Sequence, residues 1–306
     1  VQYRLDIDTS MAGHIDTCLG CLACETACPS GVKYAPLIEE TRATLERQSP
    51  RSAADRLFRQ LLFEVLPYPA RLRVLALPMP LAGFVKRRPG LLALLPPRLR
   101  ALTKLAPDSA PSRDVPEHSP ATGPVRHRVG LLTGRVQRVF FGAVNEATIR
   151  VLNAEGCDVL APKGQGCCGA LALHAGQGSD ARAFARELIA VFEQQPIDTI
   201  VVNAAGCGST MKEYGELLKD DPAWAERARA FSARVRDVTE VLARLEPVAT
   251  RHPLPMRIAY HDACHLAHGQ GVRQQPRALL SGIPQVSVLA IAEGDICCGS
   301  AGIFNL

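Results

Sequence analysis

The chain has 306 residues, enough for about two domains, and 47% hydrophobic with 21% charged residues is a globular composition that excludes a disordered chain. Thirty-five Lys and Arg against 30 Asp and Glu give a net charge of +5, too small an excess to point to nucleic acid. Within the Leu-rich region the longest apolar run, Val74 to Val85, is twelve residues and contains Pro78 and Pro80; a membrane-crossing helix needs about 20. The N-terminal VQYRLDIDTS lacks the basic and apolar blocks of a secretory signal.

Residues 1–50 hold one cysteine cluster and a helical pattern from Ala35 to Gln48, stopped by Ser49-Pro50. Residues 51–105 change character, with 15 Leu, seven Pro and 11 Lys or Arg against two Asp or Glu. The prolines predict short helical pieces. The basic face, with Arg71, Arg73, Lys86, Arg87 and Arg88, suits anionic lipid headgroups, a partner subunit or a cover over the core. Residues 106–125 read as a Pro/Ser-rich linker.

Beyond the linker, strands are expected at Val129–Leu132, Asp158–Ala161, Ile197–Val202 and Arg257–Tyr260. Helices are expected at Val139–Ala154, Arg182–Phe192, Met211–Leu218, around Trp224, at Thr239–Leu245 and near Arg273–Leu280. This alternation predicts α/β architecture with a mostly parallel sheet.

Cysteine carries the chemistry. Ten of the 11 cysteines sit in tight motifs, which without a secretory signal argues for metal ligation in a reducing, cytoplasmic compartment over a disulfide scaffold. Cys18, Cys21, Cys24 and Cys28, followed by Pro29, have the spacing of a [4Fe–4S] ferredoxin run. In two-cluster ferredoxins the fourth cysteine of such a run serves the other cluster. Cys28 therefore either completes its own cluster or serves one whose three-cysteine run is missing here. With Val at position 1, the chain reads as a fragment, and we expect an N-terminal segment before it.

Cys167-Cys168-Gly169 recurs as Cys297-Cys298-Gly299, 130 residues on. This predicts an internal repeat. Cys264 precedes Cys297 by 33 residues, and Arg135 precedes Cys167 by 32, so Arg135 stands where the second copy has Cys264. Cys207 follows Cys168 by 39 residues; the same offset after Cys298 runs past Leu306, so the second copy is expected to be incomplete. An incomplete sheet predicts exposed apolar surface around Arg257–Tyr260 and poor solubility. Each constellation, Cys167/Cys168/Cys207 and Cys264/Cys297/Cys298, is open to two readings: a metal or cluster site, or a redox-active or simply buried thiol group. Cys157 reads as a small apolar residue at a strand edge. His174 and His265, close to these cysteines, are candidates for ligand or proton donor; His14, His118, His127, His252 and His268 read as surface or structural. There is no dinucleotide or Walker fingerprint and no nucleophile–base constellation.

The segments CLGCLACETACPSGVKY, QGCCGALALHAG, NAAGCGSTMKEYGELLKD, YHDACHLAHGQGV and ICCGSAG resemble, in order and over nearly the whole chain, the iron–sulfur subunits of glycolate oxidase and lactate oxidation. More broadly, the paired Cys-Cys-Gly segments are similar to those of the cysteine-rich subunit of heterodisulfide reductase and of the third subunit of anaerobic glycerol-3-phosphate dehydrogenase. The resemblance implies an electron-transfer subunit that serves FAD-containing subunits oxidising a 2-hydroxy acid and passes electrons to the respiratory chain. That places it against a quinone-linked or peripheral membrane acceptor on the inner face, with no nucleic-acid partner. It implies an α+β multidomain fold: a helical ferredoxin-like N-terminal segment (1–50), a basic helical region and linker (51–125), and two repeated α/β cysteine-rich domains (126–250 and 251–306), the second truncated.

Two [4Fe–4S] clusters are implied for the complete protein, Cys18, Cys21 and Cys24 on one and Cys28 on the other, with room for a further cluster or zinc at the Cys-Cys-Gly sites. The sequence departs from the family pattern at the absent first ferredoxin run, at Arg135, at Ala204 where fuller motifs have Cys, and at the absent final Cys-containing segment. Three cysteines remain in the first Cys-Cys-Gly unit, and a guanidinium is not a metal ligand; it would stabilise thiolates or bind an anion. A heterodisulfide-reductase-like enzyme, a glycerol-3-phosphate dehydrogenase subunit and a structural zinc protein are the alternative readings.

Overall fold

Helices α1 (Thr9–Thr17), α2 (Ala23–Ala27) and α3 (Tyr34–Gln48) open the chain in the computed structural model, which describes residues 9–48, 51–77, 79–105, 112 and 114–299. The expected stop at Ser49-Pro50 lies outside the described residues. α3 buries Ala35, Ile38, Arg42 and Leu45, a stripe at helical spacing with an arginine inside it.

Five short helices follow: α4 (Ala53–Val65), α5 (Pro69–Ala76), α6 (Met79–Lys86), α7 (Pro89–Ala93) and α8 (Pro97–Leu105). Proline opens α5, α7 and α8, where its missing N–H costs nothing. The Ser52 hydroxyl caps α4 by accepting from the Asp55 N–H at 3.1 Å.

The α/β part runs β1 (His118–Ser119), β2 (His127–Leu131), α9 (Arg135–Phe140), α10 (Gly142–Ala154), β3 (Cys157–Leu160), α11 (Ala170–His174), α12 (Gly178–Glu193), β4 (Thr199–Val202), α13 (Ala205–Lys212), α14 (Tyr214–Leu217), α15 (Ala225–Arg234), β5 (Val235–Asp237) and α16 (Val238–Arg244). Its sheet has the order β1-β3-β2-β4-β5, parallel except for β1. Period-two alternation sends Ile200 and Val202 of β4 into one core layer, with Leu188, Ile189 and Phe192 of α12. Val201 goes to the other layer, with Val129, Leu131, Ile149 and Leu152. Gly130 is required in β2, since a Cβ there would press into the Ile197 and Phe192 side chains.

Several boundaries differ from expectation. The helix expected over Val139–Ala154 is two helices broken at Phe141, whose φ of −128° leaves the helical region. The helix expected from Met211 begins at Ala205 and stops at Lys212, with α14 separate. Part of the expected linker belongs to the sheet: β1 pairs antiparallel with β3, and the Ala161 N–H donates to the Glu117 carbonyl at 2.8 Å. β5 is too short at three residues to show a period.

The chain ends its described part with β6 (Met256–Ala259), a π-helical turn (His265–Gly269), α17 (Gln274–Ser281) and β7 (Val286–Leu289). β6 and β7 pair in parallel as a separate two-stranded sheet. Its apolar side chains are open, with Met256 50% and Leu289 38% exposed. No helix among the described residues is long and apolar enough to cross a membrane.

Candidate functional site

The Cys18–Cys24 segment folds on two left-handed residues, Gly20 (φ 64°) and Leu22 (φ 63°). Such a conformation strains a leucine, yet Leu22 is 5% exposed and held at the start of α2. The coil brings the thiols of Cys18, Cys21 and Cys24 within electrostatic reach. Burial raises the Cys24 thiol, and the neighbouring Cys21 and Cys18 sulfurs raise it further. The Tyr34 hydroxyl donates to Cys18 Sγ at 3.7 Å. Burial first, then Cys18, pushes that phenol up to about 12. Cys28 has different surroundings: the backbone N–H groups of Val32, Ser30 and Gly31 converge on it and lower its thiol.

This donor set fits an iron–sulfur cluster: three thiols in one coil, a fourth in its own nest of N–H groups, and a hydroxyl aimed at sulfur. Among the described residues no three His, Cys, Asp or Glu side chains stand as a ready ligand set for one metal ion. A cluster of several irons is wider than an ion and takes more widely spaced thiols.

The α/β unit supplies the second feature. β2 lies between β3 and β4, so the chain reverses direction across the sheet there, and the crevice at the strands' carboxyl ends is where such sheets bind ligands. The loops after β2 and β4 are fixed by buried amides. Gln165 accepts from the Thr133 N–H at 2.8 Å, and Asn145 donates to the Thr133 carbonyl at 2.9 Å. Gln137 reaches both Asn145 Oδ1 and Asn203 Oδ1, at 2.8 and 2.6 Å. Between these loops opens a cleft of about 1070 Å³ lined by Cys167, Cys168, Cys207, Cys264 and Cys298. The two Cys-Cys-Gly motifs thus share one space.

Cys168 Sγ stands 3.0 Å from Cys207 Sγ. Its hydrogen bond with Cys167 pulls the Cys168 thiol down, but contact with Cys207 and burial outweigh it and hold the thiol well above its ordinary range. The same bond and burial raise Cys167. Across the cleft, burial and then the neighbouring Cys297 sulfur raise Cys264, while the Gly299 N–H donates to Cys297 Sγ at 3.4 Å. Gly169 (φ 79°) and Gly299 (φ 80°) take the same left-handed turn after their cysteine pairs. Arg135, the first residue of α9, lines the cleft with its buried Nε unpartnered. Cys157 is fully buried in β3, away from the cleft, and burial pushes its thiol up to about 11.

His174 and His265 meet edge-on, ring centroids 5.1 Å apart, on the cleft wall. Burial lowers His265 to about 4, assisted by His174. His118 pairs with Asp158 at 3.0 Å, and His268 bonds Thr26 Oγ1 at 2.7 Å, both structural roles.

Arg42 joins the two features and was not singled out by sequence reasoning. Its guanidinium donates to the carbonyls of Cys18, Ile15 (3.3 Å) and His174 (2.9 Å). An arginine inside the apolar stripe of α3 is the signal that marks it. Tyr34, Gln165, Asn145 and Asn203 were missed as well; lone polar residues carry no such signal. Cys207 stands in the first turn of α13, just past the carboxyl end of β4.

The Cysteine-rich domain family, CCG, matches residues 132–212 and 258–306. The chain is 36% identical over 316 aligned residues to the probable glycolate oxidase iron–sulfur subunit of Bacillus subtilis, covering 99% of this chain and 70% of that protein. It is 33% identical to the glycolate oxidase iron–sulfur subunit of Escherichia coli, covering 96% of this chain and 69% of that protein. Lactate utilization protein A of an Exiguobacterium strain is 30% identical over 58% of this chain and 73% of its own length. With the cysteine loop, the shared cleft and these likenesses in view, the chain belongs to the glycolate oxidase iron–sulfur subunit family.

Proposed function

We propose that the chain relays electrons within a 2-hydroxy-acid-oxidising complex, glycolate being the substrate named in its relatives. The observation that carries this is the coil holding Cys18, Cys21 and Cys24 together, pinned by Arg42 to the wall of the cysteine cleft. Those three thiols hold one [4Fe–4S] cluster, and Cys28, set apart in its N–H nest, serves a second. Such a cluster, when bound, takes up and releases one electron at a time. Tyr34 withdraws charge from the Cys18 sulfur through its hydroxyl, and Arg42 fixes the loop's backbone; both tune the site from outside the ligand set. An FAD-containing subunit is the donor in this reading.

The domain reading is a ferredoxin-like helical segment over 1–50, a basic helical region over 51–125, and a duplicated cysteine-rich unit over 126–250 and 251–306. The duplication is supported by the shared left-handed glycines and by Arg135 and Cys264 each following a parallel strand into one cleft. Cys264, Cys297 and Cys298 are the further cluster candidates. Residues 51–105 dock on the inner face of the membrane near a quinone-linked acceptor. In support, Leu57, Val74, Leu77 and Leu94 of this basic segment are 67–81% exposed.

The test is iron, acid-labile sulfide and zinc per chain on anaerobically purified protein, with electron paramagnetic resonance after reduction. About four iron and four sulfide, lost in Cys18→Ser, is the expected result. Zinc without sulfide overturns the reading.

A further inference from the structure

We propose that Glu39 and His174 form a proton-delivering dyad for a quinone that is reduced inside the cysteine cleft of this chain. The inference rests on the relay reading and takes it one step further, from the electrons to the acceptor and the protons it needs.

Three observations carry it. The first is the dyad. His174 Nδ1 stands 3.4 Å from Glu39 Oε1, and the Glu39 side chain is only 15% exposed. The ring lines the cleft, and its other nitrogen, Nε2, is buried without a hydrogen-bond partner. A carboxylate behind one imidazole nitrogen favours the charged ring, which leaves the other N–H to give a proton to a ligand. Arg42 fixes the residue by donating to the His174 carbonyl at 2.9 Å. His265 is the other ring on that wall, but among the described residues no carboxylate pairs with it.

The second observation is the lining. Val136, Phe141 and Val144 line the cleft and are 38–50% exposed. Two of its cations are already engaged, since Arg51 and Arg59 pair with Glu46 at 2.5 and 3.0 Å. Leu66 and Pro67 join the cleft to the leucine-rich segment read above as facing the membrane. A volume of about 1070 Å³ has room for a ring and part of an alkyl tail. The third is Arg135, which lines the same space with a buried Nε that has no acceptor, a donor suited to a carbonyl oxygen. An apolar acceptor that takes single electrons and offers paired carbonyl oxygens is a quinone.

The step balances with the relay as reductant. Two electrons, delivered singly, and two protons convert the quinone's two C=O groups to two C–OH groups. As the first oxygen gains charge, the His174 Nε2–H bond breaks and an O–H bond forms. The second oxygen takes its proton from water as the hydroquinone leaves. Solvent then reprotonates the ring, whose positive charge Glu39 stabilises.

The experiment uses the full chain, purified anaerobically and reduced with dithionite that is then removed. It is mixed with duroquinone, whose fully substituted ring cannot add to the cysteines, or with ferricyanide, which takes an electron and no proton. His174→Gln should lower the rate with duroquinone relative to that with ferricyanide by about hundredfold, the contribution of a positioned general acid. Glu39→Gln should lower the same ratio by about tenfold, through loss of the charge that favours the protonated ring. Calorimetry adds a readout without turnover. The oxidised wild type and His174→Gln should bind duroquinone, and Val144→Arg, which puts a charge on the apolar lining, should not. Equal slowing with both acceptors in His174→Gln overturns the dyad. A wild-type chain that reduces ferricyanide but neither binds nor reduces duroquinone overturns this proposal alone. One that reduces neither acceptor overturns the relay reading and this proposal with it.

Discussion

The two Cys-Cys-Gly units bring the same backbone device to one cleft on very different supports. The first is walled by a five-stranded sheet with apolar layers on both faces. The second rides on two parallel strands whose apolar residues stay open. Both turn through a left-handed glycine, yet the stretch after the leading strand carries a guanidinium, at the start of α9, in one and a thiol in the other. The backbone that positions cysteines is therefore separable from the number of sulfurs it collects, and from the amount of core beneath it.

The largest effect that would sharpen this comparison is on stability. Phe192 is fully buried against β4, with an edge contact to Phe231 at 6.2 Å. Phe192→Ala should cost about 4 kcal/mol. Met256→Ala, at 50% exposure in the second unit, should cost less than about 1 kcal/mol. Urea unfolding of the two variants measures both; equal costs would mean that the second sheet is not the lightly supported one.

Next is the seam. Arg42 is 5% exposed and satisfies carbonyls of the cysteine loop and of α11's last residue at once. Arg42→Met leaves those buried acceptors unpaired and should cost about 3 kcal/mol. It should also speed alkylation of Cys18 relative to Cys207. Unchanged labelling of Cys18 would show that the loop is held by something else.

The same contrast explains what was legible beforehand. The strands β2, β3 and β4 announce themselves as apolar runs because both faces are buried, and the Cys18–Cys28 run has a spacing few other chemistries use. β7 is hidden because Val286–Leu289 is short and half-open, so its alternation is weak. The convergence of Cys167, Cys168, Cys207, Cys264 and Cys298 on one cleft was only half legible. Sequence showed two constellations with the same pattern, but their facing one another is a tertiary fact carried by contacts such as Gln270 Nε2 to the Ala205 carbonyl at 2.9 Å. Arg42 and the Asn145–Asn203–Gln137 amides are invisible to pattern reading for the same reason: each works through groups that only the fold brings near.

The smallest effect concerns the border between the first unit and the N-terminal helices, where Glu213 follows the last residue of α13. Burial, then the nearby carboxylates of Glu39 and Glu25, pushes Glu213 up to about 7 from 4.5, against the opposing pull of Lys33 and with Glu216 adding to the rise. Below pH 4.5 the group is protonated whether the chain is folded or not. Between there and about 7 the folded protein keeps a proton that the unfolded chain releases, so stability falls as pH rises through this window and is level above it. Discounted for partial exposure, the loss is about 2 kcal/mol. Glu213→Gln removes the group that must ionise, so it should stabilise the chain at pH 8 and change little at pH 4.5. Thermal unfolding at the two pH values decides the matter. A variant gaining equally at both would show that Glu213 is strained by packing rather than by charge, and would move the origin of the first unit's pH dependence to another carboxylate on that border.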